Sequence, residues 1–74
     1  MSEADIKYMV EAIMVDLAEF LTSDYDIDIE EALEKIYNSE TYSKLKDPST
    51  GLFFQSSGYV YSFLHNELST GKME

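Results

Sequence analysis

The stretch SDYDIDIEEA, residues 23–32, holds the densest set of side chains that could bind a metal ion. Acidic residues stand at alternate positions, as in the first half of an EF-hand calcium loop: Asp24, Asp26, Asp28 and Glu30. A loop starting at Asp24 needs glycine at its sixth position and glutamate at its twelfth, where this chain has Ile29 and Lys35. Starting at Asp26 brings Glu31 and Tyr37 to those positions, which suits calcium no better. We therefore expect no metal site, although weak, nonspecific attraction of divalent ions stays open.

The same residues are typical of a connector followed by a helix. Asp28 stands three residues before Glu31, as in a capping box, and both Glu30 and Glu31 suit the positive end of a helix dipole. An apolar face then follows, formed by Ala32, Leu33, Ile36 and Tyr37. The pattern predicts a helix over 29–37, preceded by a connector at DYDID.

The one histidine, His65, is the other candidate for chemistry. Nucleophilic catalysis needs an activated hydroxyl with a base and an orienting acid, and no glycine-flanked elbow or phosphate-binding loop is present to aim one. The acids fall on predicted solvent faces or in first turns of helices, where capping explains them. We predict no enzyme, no catalytic residue and no cofactor, and we expect His65 to lie at the surface near Tyr61.

Length and charge limit the classes of function further. The chain has 74 residues, no cysteine, five lysines, no arginine and a net charge of −10, so disulfides are excluded and direct contact with nucleic acid or an anionic membrane is disfavoured. The N-terminus lacks the basic region of a signal peptide, and no apolar run could span a bilayer. We expect a cytoplasmic protein. A domain this small has a marginal core, which makes self-association a hypothesis from size alone.

The first helix is predicted over 3–22, because apolar residues recur there at steps of three and four. Ser2 can cap its start. Tyr8 and Val15 lie nearly opposite this apolar stripe, seven residues apart. They are either scattered surface residues or a second contact strip for another subunit or partner.

The remaining segments complete an all-α fold. Asn38 and Ser39 can cap a short third helix over 40–46, and KDPSTG then predicts a turn in which Gly51 takes positive φ. Three large apolar residues in a row predict an extended segment over Leu52–Gln55. The last helix is predicted over 58–69, with Gly71 beyond its end. We expect a single domain over 1–74, a small bundle of three to four helices.

The second half of the chain carries a pattern of its own: ALEKIYNSETYSKL, then DPSTGLFFQSS, then YVYSFLHNEL. This pattern, over about residues 32–68, resembles a family of small uncharacterised bacterial proteins. In that family a helix ending in Tyr-Asn-Ser is followed by a Thr-Gly-Leu-aromatic turn, a serine and a final aromatic helix. The resemblance implies no activity. Some comparable families lie beside toxin-like genes, which by analogy makes a partner-neutralising role conceivable.

The leading hypothesis is therefore a noncatalytic protein–protein interaction module that forms a homodimer. The candidate partner-binding residues are large apolar side chains: Tyr8, Val15, Phe53, Phe54, Tyr59 and Tyr61. The last helix supplies two of them because its apolar arc is wider than one contact needs. The alternative is an acidic nucleic-acid mimic or antitoxin-like neutraliser of a basic protein. It predicts that the acids at positions 24, 26, 28, 30, 31 and 34 share one face.

Overall fold

The computed structural model describes residues 2–71 and shows a bundle of four α-helices. They are α1 (Glu3–Tyr25), α2 (Ile29–Tyr37), α3 (Glu40–Leu45) and α4 (Ser57–Thr70), with 3₁₀ turns at Pro48–Thr50 and Leu52–Phe54 before α4. These residues contain no strand, so the predicted all-α fold is confirmed. None of the helices in this range has both the length and the apolarity to cross a membrane.

Each α-helix begins at a polar residue whose side chain satisfies a backbone N–H of the first turn. The caps and the residues whose N–H groups they accept are Ser2 for Asp5, Asp28 for Glu31, Ser39 for Tyr42, and Ser56 for Tyr59. Such a cap contributes about 1 kcal/mol to helix stability. Gly71 closes α4 with φ 82°, the left-handed conformation that glycine adopts without steric cost. The local signals in the sequence therefore define where the helices begin.

The core is built on one face of α1. Its 23 residues span about 34 Å at 1.5 Å per residue, close to the 36 Å long axis of the molecule. Leu17 and Leu21 of α1 are fully buried and belong to the same core cluster as Ile36 of α2, Leu45 of α3 and Leu64 of α4. The core thus takes large side chains from every helix.

Helices α1 and α4 run side by side in the same direction. Along the two helices, Ser57 contacts Asp16, Tyr61 contacts Phe20 and Asp24, and His65 contacts Tyr25. Neighbours in this orientation need a long connection, which α2, α3 and the two 3₁₀ turns provide. This arrangement leaves one side of α1 and α2 outside the bundle.

The predicted end of the first helix at residue 22 is wrong by one turn, because α1 continues to Tyr25. Contacts with α4 hold the added turn, through Asp24 to Tyr61 and Tyr25 to His65. Asp26 then ends the helix at φ 53°, a left-handed conformation that aspartate tolerates better than most residues. The connector is therefore three residues long, rather than the whole of DYDID.

The predicted extended segment is also wrong over Leu52–Phe54, which forms a 3₁₀ turn, and only Gln55 is extended. Gly51, at φ 71°, accepts from the N–H of Phe54, and Leu52 accepts from that of Gln55. The turn buries Leu52 and Phe53 and leaves Phe54 exposed. An apolar triplet can thus be held against the core without a strand partner. The other boundaries, at α3 and α4, lie within one residue of their predicted positions.

Candidate interaction surface

A groove runs between α1 and α2 on the outside of the bundle. Helix α2 contributes apolar side chains spaced four residues apart, and α1 contributes apolar side chains at the edge of the face that it turns to the core. The apolar lining consists of Met14, Val15, Ala18, Ile29, Leu33 and Tyr37. We call this feature the α1–α2 groove. It exists because Ala32 and Ile36 carry the buried face of α2, so that the adjacent stripe is only partly covered: Leu33 packs against the core, whereas Ile29 and Tyr37 stay exposed.

The walls of the α1–α2 groove are unusually exposed for apolar residues. Val15 is 59% exposed, Ile29 52% and Tyr37 56%. Tyr8, two turns before Val15 on α1, is 75% exposed. Together these four residues form what we call the α1–α2 face. Tyr8 and Val15 were predicted from the sequence as partner-binding residues, whereas Ile29 and Tyr37 were not. Ile29, Leu33 and Tyr37 follow one another at four-residue steps along α2, and this spacing was a usable signal.

The charged residues at the rim of the α1–α2 groove have one sign. Among residues 2–71, its lining includes Glu11 and Glu19 from α1 and no lysine. The two glutamates are eight residues apart, or about 12 Å along the helix. The groove therefore combines an apolar floor with an acidic edge two turns long.

A second apolar groove begins on the other side of Tyr37 and has mixed charge. Its floor includes Val10 and Met14, and Tyr42 packs edge-on against Tyr37 with ring centroids 5.3 Å apart. Lys7 and Lys46 also line it, and the Lys46 ammonium lies 5.1 Å from the centre of the Tyr42 ring. Glu3 and Glu11 line this second groove as well, so its two acids are balanced by two lysines, whereas the α1–α2 groove has two acids and, within residues 2–71, no lysine.

An acidic cleft lies on the opposite side of α2, facing the end of α4. Five carboxylates line it together with Lys35: Asp28, Glu30, Glu31, Glu34 and Glu67. Four of these belong to the six acids that the neutraliser hypothesis places on one face. The other two, Asp24 and Asp26, do not line the cleft. The acidic face that this hypothesis requires is therefore present in part.

Two carboxylates of the acidic stretch, those of Asp24 and Asp28, accept hydrogen bonds within the fold. Asp24 accepts from the Tyr61 hydroxyl, Asp26 ends α1 and Asp28 caps α2. Among residues 2–71, no group of three or more histidine or acidic side chains is placed to hold a metal ion. The arrangement explains these acids through capping and tertiary hydrogen bonds.

The remaining partner-binding candidates do not form one surface. Phe53 is only 6% exposed and packs in the core, so its prediction as a partner-binding residue is wrong. Phe54 and Tyr59 are 60% and 49% exposed, on the second 3₁₀ turn and at the start of α4. Tyr61 is half-buried against Phe20, with ring centroids 4.9 Å apart. In the aromatic arc of α4, Tyr61 packs on α1 and Phe63 packs against the core, whereas Tyr59 packs edge-on against Phe63 and stays about half exposed.

His65 lies at the surface near Tyr61, as predicted, with ring centroids 6.0 Å apart. Its other aromatic neighbour is Tyr25, at 6.4 Å. It lines neither of the apolar grooves nor the acidic cleft. Its surroundings are those of a packed surface residue.

Glu67 has a role that the sequence did not reveal. Its carboxylate, on α4, accepts hydrogen bonds from the N–H groups of Glu40 and Thr41, at 2.6 and 2.9 Å, and from the Thr41 hydroxyl at 2.8 Å. A negative charge at the start of α3 is also favoured by the helix dipole. Glu67 thus joins the end of α4 to the start of α3, 26 residues away, and no local pattern could have indicated that pairing.

The hydrogen bond between Tyr61 and Asp24 predicts a loss of stability in alkali. Burial raises the pKa of the Tyr61 phenol above its usual value of 10, and donation to the Asp24 carboxylate raises it further. Because the folded pKa lies above the unfolded one, the stabilisation is complete below pH 10 and is lost as pH rises beyond it. We expect the urea midpoint to fall above pH 10, and to fall less steeply in Tyr61→Phe.

The matched control for this experiment is Tyr8→Phe, at the most exposed tyrosine. It should keep the pH dependence of the wild type. A Tyr61→Phe curve that overlays the wild type from pH 8 to 11.5 would show that the folded state does not hold this phenol in its neutral form.

Comparisons of the whole chain with protein-family models, with curated proteins and with solved structures find no match. The resemblance to a bacterial family stays a prediction.

Proposed function

We propose that this chain is a noncatalytic protein–protein interaction module whose partners dock on the α1–α2 face. The observation that carries the proposal is the exposure of Tyr8, Val15, Ile29 and Tyr37 on one side of the bundle. Exposed apolar surface beside a groove is typical of sites where proteins associate. Burying a wholly exposed apolar side chain contributes about 1.5–3 kcal/mol, and these four are 52–75% exposed, so covering each of them contributes roughly half to three quarters of that amount.

Self-association is the first form of this function. The core of a 74-residue chain is small, and covering the α1–α2 face with a second copy would bury apolar surface that the monomer leaves in water. Each copy carries a net charge of −10, so repulsion opposes this contact at low salt. A homodimer of this chain should therefore strengthen as salt screens the charges.

Neutralising a basic protein is the second candidate, and the acidic cleft favours it. Glu30, Glu31 and Glu34 bring three carboxylates to one side of α2, beside those of Asp28 and Glu67. A cationic partner would gain from this field, and its binding would weaken as salt is added. The two candidates thus predict opposite salt dependences.

Sedimentation equilibrium at 50 and 500 mM NaCl measures the first form directly. We expect the wild type to dimerise more tightly at 500 mM and Ile29→Asp to be monomeric, since the new carboxylate would be buried in the contact. Aspartate at the first position of α2 suits the helix dipole, so the fold should persist. The control is Gln55→Asp, an exposed site outside the face with the same change in charge.

Affinity capture from an extract of the native host tests the function more broadly, with the same three proteins as bait. A partner of the α1–α2 face should be retained by the wild type and by Gln55→Asp, and lost from Ile29→Asp. Monomers under every condition, combined with an identical set of captured proteins for all three baits, would contradict the proposed function.

A further inference from the structure

We propose that the α1–α2 groove accepts a cationic amphipathic helix from another protein. The inference rests on the proposed function and specifies the chemistry of its partner. Two features carry it: the apolar lining between α1 and α2, and a rim whose charged residues, Glu11 and Glu19, are both acidic.

The shape of the groove suits a helix. Its walls are themselves two helices, and its floor, formed by Met14 and Ala18, is nearly closed to solvent at 8% and 2% exposure. An amphipathic helix presents large side chains at i, i+3, i+4 and i+7, and a groove between two helices accommodates side chains at this spacing.

The negative charges at the rim of the groove favour an incoming helix that is positively charged. Lysines flanking its apolar stripe would lie beside Glu11 and Glu19, whereas glutamates in the same places would be repelled. A second copy of this chain brings 15 acidic residues and five lysines, so it meets the acidic rim with the wrong overall sign. At the 150 mM salt of the binding experiment, charge complementarity therefore favours a cationic partner over a second copy for this groove, whereas high salt screens the repulsion between two copies.

The experiment uses the full chain and an 18-residue peptide of Leu, Ala and Lys, with leucines on one helical stripe and lysines on both flanks. Fluorescence polarisation at 150 mM NaCl measures its affinity. Two peptides serve as controls: a scrambled twin of equal charge without the stripe, and a twin with Glu in place of Lys. We expect both controls to bind at least about tenfold more weakly, because each lacks one of the two required features.

Variants of the chain then locate the site. Val15→Asp should abolish binding, since it puts a charge in the apolar wall. The double variant Glu11→Gln/Glu19→Gln should weaken binding about fivefold, in line with two exposed charge contacts. Its control is Glu30→Gln/Glu31→Gln, which also removes two negative charges, but from the acidic cleft. This control should leave the affinity within about twofold of the wild type. Circular dichroism confirms that each variant is folded.

Several results would overturn the inference. Equal binding of the scrambled peptide, or equal weakening by the two double variants, would show attraction by net charge alone. Failure of the cationic peptide to bind a chain that dimerises through the α1–α2 face would assign the groove to a second copy and leave the proposed function standing. Absence of peptide binding, of dimers and of any captured protein specific to the face would overturn both.

Discussion

Replacing Leu17 with alanine should lower the free energy of unfolding by about 3 kcal/mol. The Leu17 side chain is fully buried in the middle of α1, where it belongs to the cluster that joins all four helices. The change removes apolar area from the core and leaves a cavity. A chain of 74 residues is expected to have about 4–11 kcal/mol in total, so the variant would lose a large part of its stability. Urea denaturation followed by circular dichroism at 222 nm measures the difference.

Val15→Ala is the matched control, because it lies two residues away on the same helix and is 59% exposed. We expect its stability to change by less than about 0.5 kcal/mol, since little burial is lost and alanine is the better helix former. If Leu17→Ala and Val15→Ala cost the same, the inward and outward faces of α1 would be wrongly assigned. The α1–α2 face would then lose its basis as well.

Replacing Glu67 with alanine should cost about 2–3 kcal/mol, the second largest effect that we expect. The substitution removes three hydrogen bonds at once and leaves the N–H and hydroxyl of Thr41, a fully buried residue, without their partner. It also removes a negative charge from the start of α3. Glu67→Gln should fall between alanine and the wild type, because the amide keeps one acceptor oxygen but not the charge.

Amide exchange gives this prediction a local readout. The N–H groups of Glu40 and Thr41 should exchange faster in Glu67→Ala, by more than the global loss of stability explains. Glu19→Ala is the control, since Glu19 is exposed in the middle of α1 and its substitution should cost less than about 0.5 kcal/mol. Equal losses in Glu67→Ala and Glu19→Ala would mean that the contact between α3 and α4 does not stabilise the fold.

Effects on folding and on binding are expected at different residues. Leu17 stabilises the core of the bundle, and Glu67 joins the end of α4 to the start of α3. Val15 and Ile29, in contrast, are substantially exposed on the α1–α2 face. Substitutions at the exposed pair should therefore change association while leaving the urea midpoint nearly unchanged. This separation allows a loss of binding to be interpreted as the loss of a surface.

Features that depend on neighbours in the chain were predictable from the sequence. The starts of α1, α2 and α3 follow from Ser2, Asp28 and Ser39, because a capping side chain reaches a backbone N–H only three residues away. The left-handed residues Gly51 and Gly71 were predictable for the same reason. The absence of an EF-hand pattern in residues 24–35 was equally a matter of local spacing.

Features that depend on distant residues were not predictable. The triplet at Leu52–Phe54 was assigned to an extended segment because three apolar residues do not distinguish a 3₁₀ turn from a strand, and only packing against the core buries two of them. The last turn of α1 depends on Tyr61 and His65, about 40 residues later.

The sequence alone determined an acidic, cysteine-free, all-α chain of three to four helices, since composition and local hydrogen bonding are properties of the residues themselves. Only the tertiary structure decided which apolar side chains are left in water. Phe53 is buried in the fold, whereas Ile29 and Tyr37 are exposed beside Val15, because burial depends on which faces of the helices meet. The tertiary structure also paired Glu67 with the start of α3, since that contact joins residues distant in the chain.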